Sequence, residues 1–147
     1  MKKLLEIYKD ENLLHSASYD VKFFKKSLRD LSKSMYKTMV KNNGVGISAI
    51  QVGEPIRMFI VQTEDMKEPL FVVNPKITHF SDEKTTSVEM CLSLPGVRKN
   101  VERSNKIEAT YLNTFGIENK IVLEGFQARV FQHEYDHLDG ILITDKD

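Results

Sequence analysis

The sequence predicts an α+β fold on three observations. A long amphipathic stretch lies near the N-terminus, short β-rich segments fill the middle, and a helical period returns close to the end. Across residues 21–40, Phe24, Leu28, Leu31, Met35 and Met39 recur every three or four positions, which lines one face of a helix. Asp20 is the expected N-cap, and Asn42-Asn43-Gly44 supplies the stop. Residues 58–62, 70–74 and 106–112 are rich in β-branched and aromatic side chains and read as strands. In the last of these, Ile107, Ala109 and Tyr111 alternate with Glu108 and Thr110, the pattern of a half-buried strand. Asn113-Thr114-Phe115-Gly116 then turns the chain into a second strand ending near Leu123. From Gly125 to about Leu138 the apolar positions fall a helical turn apart again. Helix, several strands and helix, in that order, fit α+β better than repeating βαβ units.

Composition bounds the class of protein. A chain of 147 residues fits one domain, taken as 1–147. The 21 basic and 21 acidic residues cancel, so the chain lacks the basic excess of a general nucleic-acid binder. Leu4-Leu5 is followed at once by Glu6 and Lys9, leaving no secretory hydrophobic region, and the longest apolar runs fall far short of the ~20 residues of a membrane helix. Cys91 is the sole cysteine, so no internal disulfide can form and a reducing compartment is expected. No nucleic-acid or membrane partner and a cytoplasmic location are the expectations.

The last helix contains His133-Glu134-Tyr135-Asp136-His137, an H-E-x-x-H pentad. Residues four apart on a helix stand one above the other, so two imidazoles there can converge on one metal ion. Glu134 sits between them, placed to take a proton from an activated water without being a ligand. A third ligand is needed. His15 and His79 are candidates, although histidines of this kind are more often surface residues. Cys91 is the stronger one, because Glu89 and the Pro95-Gly96 turn break the apolar surroundings expected of a buried structural cysteine. One Cys and two His leave a fourth tetrahedral position open, as in catalytic sites. A third feature, Gly44-Val45-Gly46-Ile47-Ser48-Ala49-Ile50-Gln51, is no phosphate loop, since it lacks GK[ST]. Its glycines allow close backbone approach, and the Gln51 amide on an apolar stretch requires a partner.

These three segments together resemble the peptide deformylase family. Its motifs are Gly-aliphatic-Gly…Gln, Glu-Gly-Cys-Leu-Ser and Gln-His-Glu-x-Asp-His-Leu, in that order. Here they read Gly44-Val45-Gly46…Gln51, Glu89-Met90-Cys91-Leu92-Ser93 and Gln132-His133-Glu134-Tyr135-Asp136-His137-Leu138. The resemblance implies small antiparallel or mixed sheets packed around a central helix that carries H-E-x-x-H, with an N-terminal amphipathic helix. It implies hydrolysis of the N-formyl group from the initiator methionine of nascent chains, releasing formate, in a bacterial or phage-infected bacterial cytoplasm. By the same resemblance Cys91, His133 and His137 hold one divalent metal, Fe(II) first, with Zn, Ni or Co as substitutes. Glu134 is then the proton carrier, and the Gln51 amide and Leu92 backbone N–H stabilise the oxyanion. The Gly46 backbone pairs with an extended peptide. Val45, Phe126, Val130 and the His133 ring line the methionine pocket, and Arg98 faces the bound peptide. Glu89 and Arg103 are expected as an ion pair supporting the Cys91 segment.

Three departures accompany the resemblance. Met90 stands where the family usually has Gly, which strains the segment if that position needs φ > 0 and is harmless in a β conformation. Ser48 replaces a usual Ala. The sequence ends seven residues past Gly140, whereas many bacterial members continue into a C-terminal helix that docks on the ribosome. Ribosome contact through such a helix is therefore not expected here, and short members, phage-encoded ones included, also exist in the family. Two alternatives remain open: an inactive homologue that binds metal or peptide termini, and a zincin-type peptidase using the same pentad.

Overall fold

The computed structural model describes residues 5–147. Residues 1–4, part of the stretch read above as carrying no secretory segment, lie outside the described residues. A short helix, α1 (Glu11–Leu14), precedes the long α2 (Lys26–Lys41). Seven strands follow: β1 (Gly46–Ser48), β2 (Met58–Val61), β3 (Leu70–Phe80), β4 (Lys84–Cys91), β5 (Leu94–Ser104), β6 (Lys106–Leu112) and β7 (Glu118–Glu124). Helix α3 (Phe126–Leu138) comes next, and short 3-10 turns occupy Ala49–Val52 and Ile143–Asp145. Five strands form one antiparallel sheet in the order β1-β2-β3-β6-β7, and β4 and β5 form a separate antiparallel hairpin. Both sheets are antiparallel, which resolves the choice between antiparallel and mixed.

The larger sheet is covered on both faces because its central strands alternate. Phe59 and Val61 of β2 join Val72, Ile107, Ala109 and Leu123 against Ala128, Phe131 and Leu138 of α3. Met58 and Ile60, pointing the other way, pack with Ile47 and Val73 against Leu28, Met35 and Met39 of α2. The rings of Phe59 and Phe131 meet edge to face, 4.9 Å between centroids. Truncating Phe131 to alanine would cost about 3–5 kcal/mol. Helix α3 thus lies against a rigid, fully buried surface, which fixes the direction of every side chain it carries. A third cluster, Leu14, Ile50, Cys91, Leu94, Val101, Leu142 and Ile143, pins the β4–β5 hairpin beside it.

The expected helices and the 106–112 strand are present, and three details differ. Helix α2 begins at Lys26 with Lys25 in the cap position, not after Asp20, whose carboxylate lies 3.8 Å from Arg57 instead. Phe24, the first of the apolar series, therefore packs from an extended segment outside the helix. The β4–β5 hairpin is the largest element that the sequence pattern does not announce, because β4 is exposed from Lys84 to Val88 and carries almost no apolar alternation.

Candidate metal centre

Cys91 ends β4, while His133 and His137 stand one turn apart on α3. Among the described residues these three bring their donor atoms within 4.8 Å of one another. Both imidazoles are buried, as is the thiol. Cys91 Sγ lies 3.4 Å from His137 Nε2. A tetrahedral metal bound at ~2.3 Å to sulfur and ~2.0–2.1 Å to nitrogen separates those two donors by about 3.6 Å. The donor set therefore fits a metal in both chemistry and spacing. His15 and His79 take no part. His15 is exposed and faces Asp145, and His79 is exposed within β3.

The two imidazoles of the cluster shift in opposite directions. Burial pushes the His133 ring down, yet hydrogen bonds with Cys91 and Glu89 and the charge of Glu134 raise it to about 10. His137 moves the opposite way, lowered by burial and by the charge of His133, and so stays a neutral donor. Burial raises Glu134, against the pull of His133 and a hydrogen bond from Ser48. Ser48 Oγ donates to Glu134 Oε1 at 2.8 Å, and Glu134 Oε2 lies 3.9 Å from His133 Nε2.

Behind the cluster, Glu89 is held by two guanidinium groups. Arg103 donates through Nε at 2.9 Å and a terminal nitrogen at 2.8 Å, and Arg129 donates at 2.7 Å. His133 Nδ1 stands 2.9 Å from the same carboxylate. This is the carboxylate–histidine arrangement that fixes the tautomer and orientation of a metal-ligating ring. Burial would raise Glu89, but the hydrogen bonds from Arg103 and His133 prevail and hold it well below the ordinary carboxylate range. Arg103 also bonds Asp136, inside the pentad, so the hairpin and α3 are tied across one buried network. The expected Glu89–Arg103 pair is present, and it is buried rather than a solvated surface contact.

The glycine segment packs against the same atoms. At Gly46 a Cβ would stand 2.6 Å from Glu134 Oε2, so only glycine lets β1 approach this closely. The Gln51 amide has the partners it requires. Its Oε1 accepts from the Ser48 N–H at 2.9 Å, and its Nε2 reaches Ser93 Oγ at 3.2 Å and Cys91 Sγ at 3.5 Å.

A cavity of about 410 Å³ opens over the cluster. Its walls include Val45, Gly46, Gln51, Leu92, Phe126 and Val130, together with Cys91, His133 and Glu134. Arg98 is exposed on β5 and does not line it; the neighbouring Val97 does. Met90 lacks positive φ, so no backbone strain attends the side chain there. Sequence reasoning missed Arg129 and Ser93. Arg129 had a signal: an arginine one turn before His133 in the apolar run Ala128 to Phe131 must be buried with a counter-charge. Ser93 had one as well, its place at the end of the Glu89-Met90-Cys91-Leu92-Ser93 motif.

Comparison with known proteins bears on the same residues. A family model described as polypeptide deformylase matches residues 1–146. Peptide deformylase 1 of Clostridium perfringens is 41% identical over 138 residues, covering 94% of this chain and 93% of its own length. The peptide deformylase of Finegoldia magna is 33% identical, with 93% and 85% covered. The solved peptide deformylase of Thermotoga maritima is similar at a TM-score of 0.94 and 36% identity, over 98% of this chain and 97% of that one. A class I type b peptide deformylase from Acinetobacter baumannii, solved with Met-Ala-Ser bound, reaches 0.95 at 34% identity over the whole of both chains. The likeness covers β4 and α3, which carry the Cys–His–His cluster, and the chain belongs to the polypeptide deformylase family.

Proposed function

We propose that Cys91, His133 and His137 hold one divalent metal ion, and that Glu134 works beside it to hydrolyse the N-formyl group of N-terminal formylmethionine. The activity is that of the family, a metal-dependent hydrolysis of a formyl amide. The observation that carries the residue roles is the fixed carboxylate. Glu134 is buried, held by Ser48, and turned toward a Cys–His–His donor set that leaves one tetrahedral position for reactants.

When bound, the metal supplies Lewis acidity that lowers the pKa of water and polarises the formyl oxygen. Glu134 takes the proton from the attacking water and returns it to the amine as the C–N bond breaks, so formate and a free α-amino group leave. The Gln51 Nε2–H and the Leu92 backbone N–H stabilise the oxyanion, one such donor being worth about 2.7–4 kcal/mol of barrier. The thiolate of Cys91 favours a softer ion, and we assign Fe(II), with Zn, Ni and Co as substitutes. Val45, Phe126 and Val130 offer an apolar wall to the methionine side chain, and the Gly46 backbone pairs with the extended peptide. The A. baumannii relative with Met-Ala-Ser bound supports reading the cavity as the place of a methionyl chain end. The substrates are formylated nascent chains met in the cytoplasm, with no nucleic-acid or membrane partner. Among the described residues no helix is long and apolar enough to cross a membrane.

The test is formate release from N-formyl-Met-Ala-Ser under anaerobic conditions, because Fe(II) beside a thiolate invites oxidation of both. Glu134→Ala is expected to abolish release while metal content stays near one per chain. A wild-type protein that holds metal and releases no formate would overturn the reading. Cleavage of unformylated peptides would favour a peptidase instead.

A further inference from the structure

The cavity over the Cys–His–His cluster has an apolar rim, and two of its residues, Val88 and Met90, take no part in the chemistry or in the methionine wall. Val88 and Met90 lie two residues apart on β4, so both point away from the face that carries Glu89 and Cys91. Both line the cavity, as does Phe126, the first residue of α3. All three are open to solvent: Met90 at 62%, Phe126 at 57% and Val88 at 46% exposure. Large apolar groups left exposed around one cavity mark a surface that something covers. No requirement of the fold explains Met90. It packs in none of the buried clusters, its backbone lacks positive φ, and threonine or valine would suit an exposed strand position better. Methionine is instead a flexible, polarisable side chain suited to contacts with varied apolar partners.

The occupant follows from continuity with the cavity. A chain end whose first residue sits over the cluster must pass its second and third residues across the mouth, where Val88, Met90 and Phe126 stand. We propose that Met90, with Val88 and Phe126, is a specificity-determining rim that favours apolar side chains at the second and third residues of the formylated substrate. This rests on the deformylase reading and adds a preference among its substrates. Polar or charged side chains at those positions gain nothing from the rim and lose hydration against it. Because the contact is made equally before and during reaction, it acts on KM rather than on kcat.

The experiment compares N-formyl-Met-Leu-Leu with N-formyl-Met-Ser-Ser in the wild-type protein, Met90→Thr and Met90→Leu. Threonine keeps the strand propensity of β4 while removing the long apolar arm, and circular dichroism checks each fold. Wild type is expected to favour the leucine peptide in kcat/KM by roughly three- to ten-fold, the scale of a partly exposed apolar contact. Met90→Thr should bring that ratio toward one through KM, and Met90→Leu should retain it. A second readout needs no turnover: unformylated Met-Leu-Leu should bind more tightly than Met-Ser-Ser by calorimetry, and Met90→Thr should erase the difference. An unchanged ratio in Met90→Thr, or no preference in wild type, overturns the rim. Absence of formate release from every peptide overturns the deformylase reading, and the binding preference then still tests the rim.

Discussion

Ser48 Oγ donates a hydrogen bond to Glu134 Oε1 at 2.8 Å, and the same hydroxyl lies 3.2 Å from the Glu134 backbone carbonyl. Strand β1 is thereby coupled to the side chain proposed above as the proton carrier. Ser48 is fully buried, so its loss would leave a Glu134 oxygen with neither this donor nor water. A neutral hydrogen bond is worth about 1 kcal/mol net, and one to a charged group about 1.5–3. We expect Ser48→Ala to lower kcat by roughly ten-fold with KM nearly unchanged. Steady-state formate release checks this; equal kcat in the two proteins would show that Ser48 does not position the carboxylate.

The buried Glu89 network carries both stability and ligand geometry. Glu89→Gln would leave Arg103 and Arg129 facing a neutral amide within the protein. Breaking a buried pair costs about 3–5 kcal/mol, far above a surface pair. Because Glu89 also orients His133, metal affinity should fall by roughly 10–100-fold. Urea unfolding of the metal-free protein measures the first effect, and competition with a chelator measures the second. A loss of stability with unchanged metal affinity would remove Glu89 from the ligand geometry.

How far these features could be read in advance depends on whether their signal is local. The His133–Glu134–His137 spacing is legible because a helix fixes what four residues mean in space. The β6–β7 hairpin is legible for a similar reason, since alternation and the Asn113 turn sit within one short stretch. The β4–β5 hairpin is not, because β4 is exposed from Lys84 to Val88 and its buried Glu89 pairs with Arg103 and with Arg129 of α3, which are distant in sequence. Arg98 is a separate case. The resemblance implies a place facing the peptide, and along β5 one residue decides which face a side chain takes. Val97 meets the cavity and Arg98 meets solvent.

The thiolate of Cys91 gives the metal assignment a spectroscopic signature. A Co(II)-loaded protein should show sulfur-to-metal charge-transfer absorption in the near ultraviolet, and Cys91→Ser should lack it while retaining weaker binding through His133 and His137. His137→Ala should bind Co(II) more weakly and keep the sulfur band at saturation. A sulfur band unchanged in Cys91→Ser would exclude the thiol as a ligand.

A pH-dependent contact lies outside the Cys–His–His cluster. His15 Nε2 faces Asp145 at 3.1 Å, joining the end of α1 to the last 3-10 turn. The hydrogen bond to Asp145, then the one to the Glu11 carbonyl, raises His15 above its ordinary 6.5. Asp145 is lowered below 3.8 by the Leu142 N–H and, after that, by His15. The histidine contribution is therefore complete below pH 6.5 and is lost as pH rises through the higher folded value. The aspartate contribution is present above pH 3.8 and is lost on further acidification. The pair stabilises between those limits, by less than about 1 kcal/mol because solvent screens both groups. Wild type and His15→Ala should differ in urea midpoint at pH 5.5 and differ less at pH 8.5. A constant difference at both values would assign the effect to packing.

The closest approach in the site yields the sharpest substitution. An alanine at Gly46 would place its Cβ 2.6 Å from Glu134 Oε2 and 3.0 Å from both Glu134 Cδ and Cγ. Glu134 is buried and bonded to Ser48, so turning away from the methyl would break that hydrogen bond. The added methyl must displace the carboxylate or push β1 away from α3. A displacement near 1 Å at a catalytic group costs on the order of 10²-fold in rate. Gly44 is the internal control. There a Cβ meets Leu92 Cδ1 at 2.9 Å, the tip of a half-buried side chain that can rotate aside. Gly46→Ala should therefore lose about 10²-fold in kcat with metal content intact, and Gly44→Ala only a few-fold. Equal losses would mean that backbone flexibility, rather than contact with Glu134, is what this segment requires.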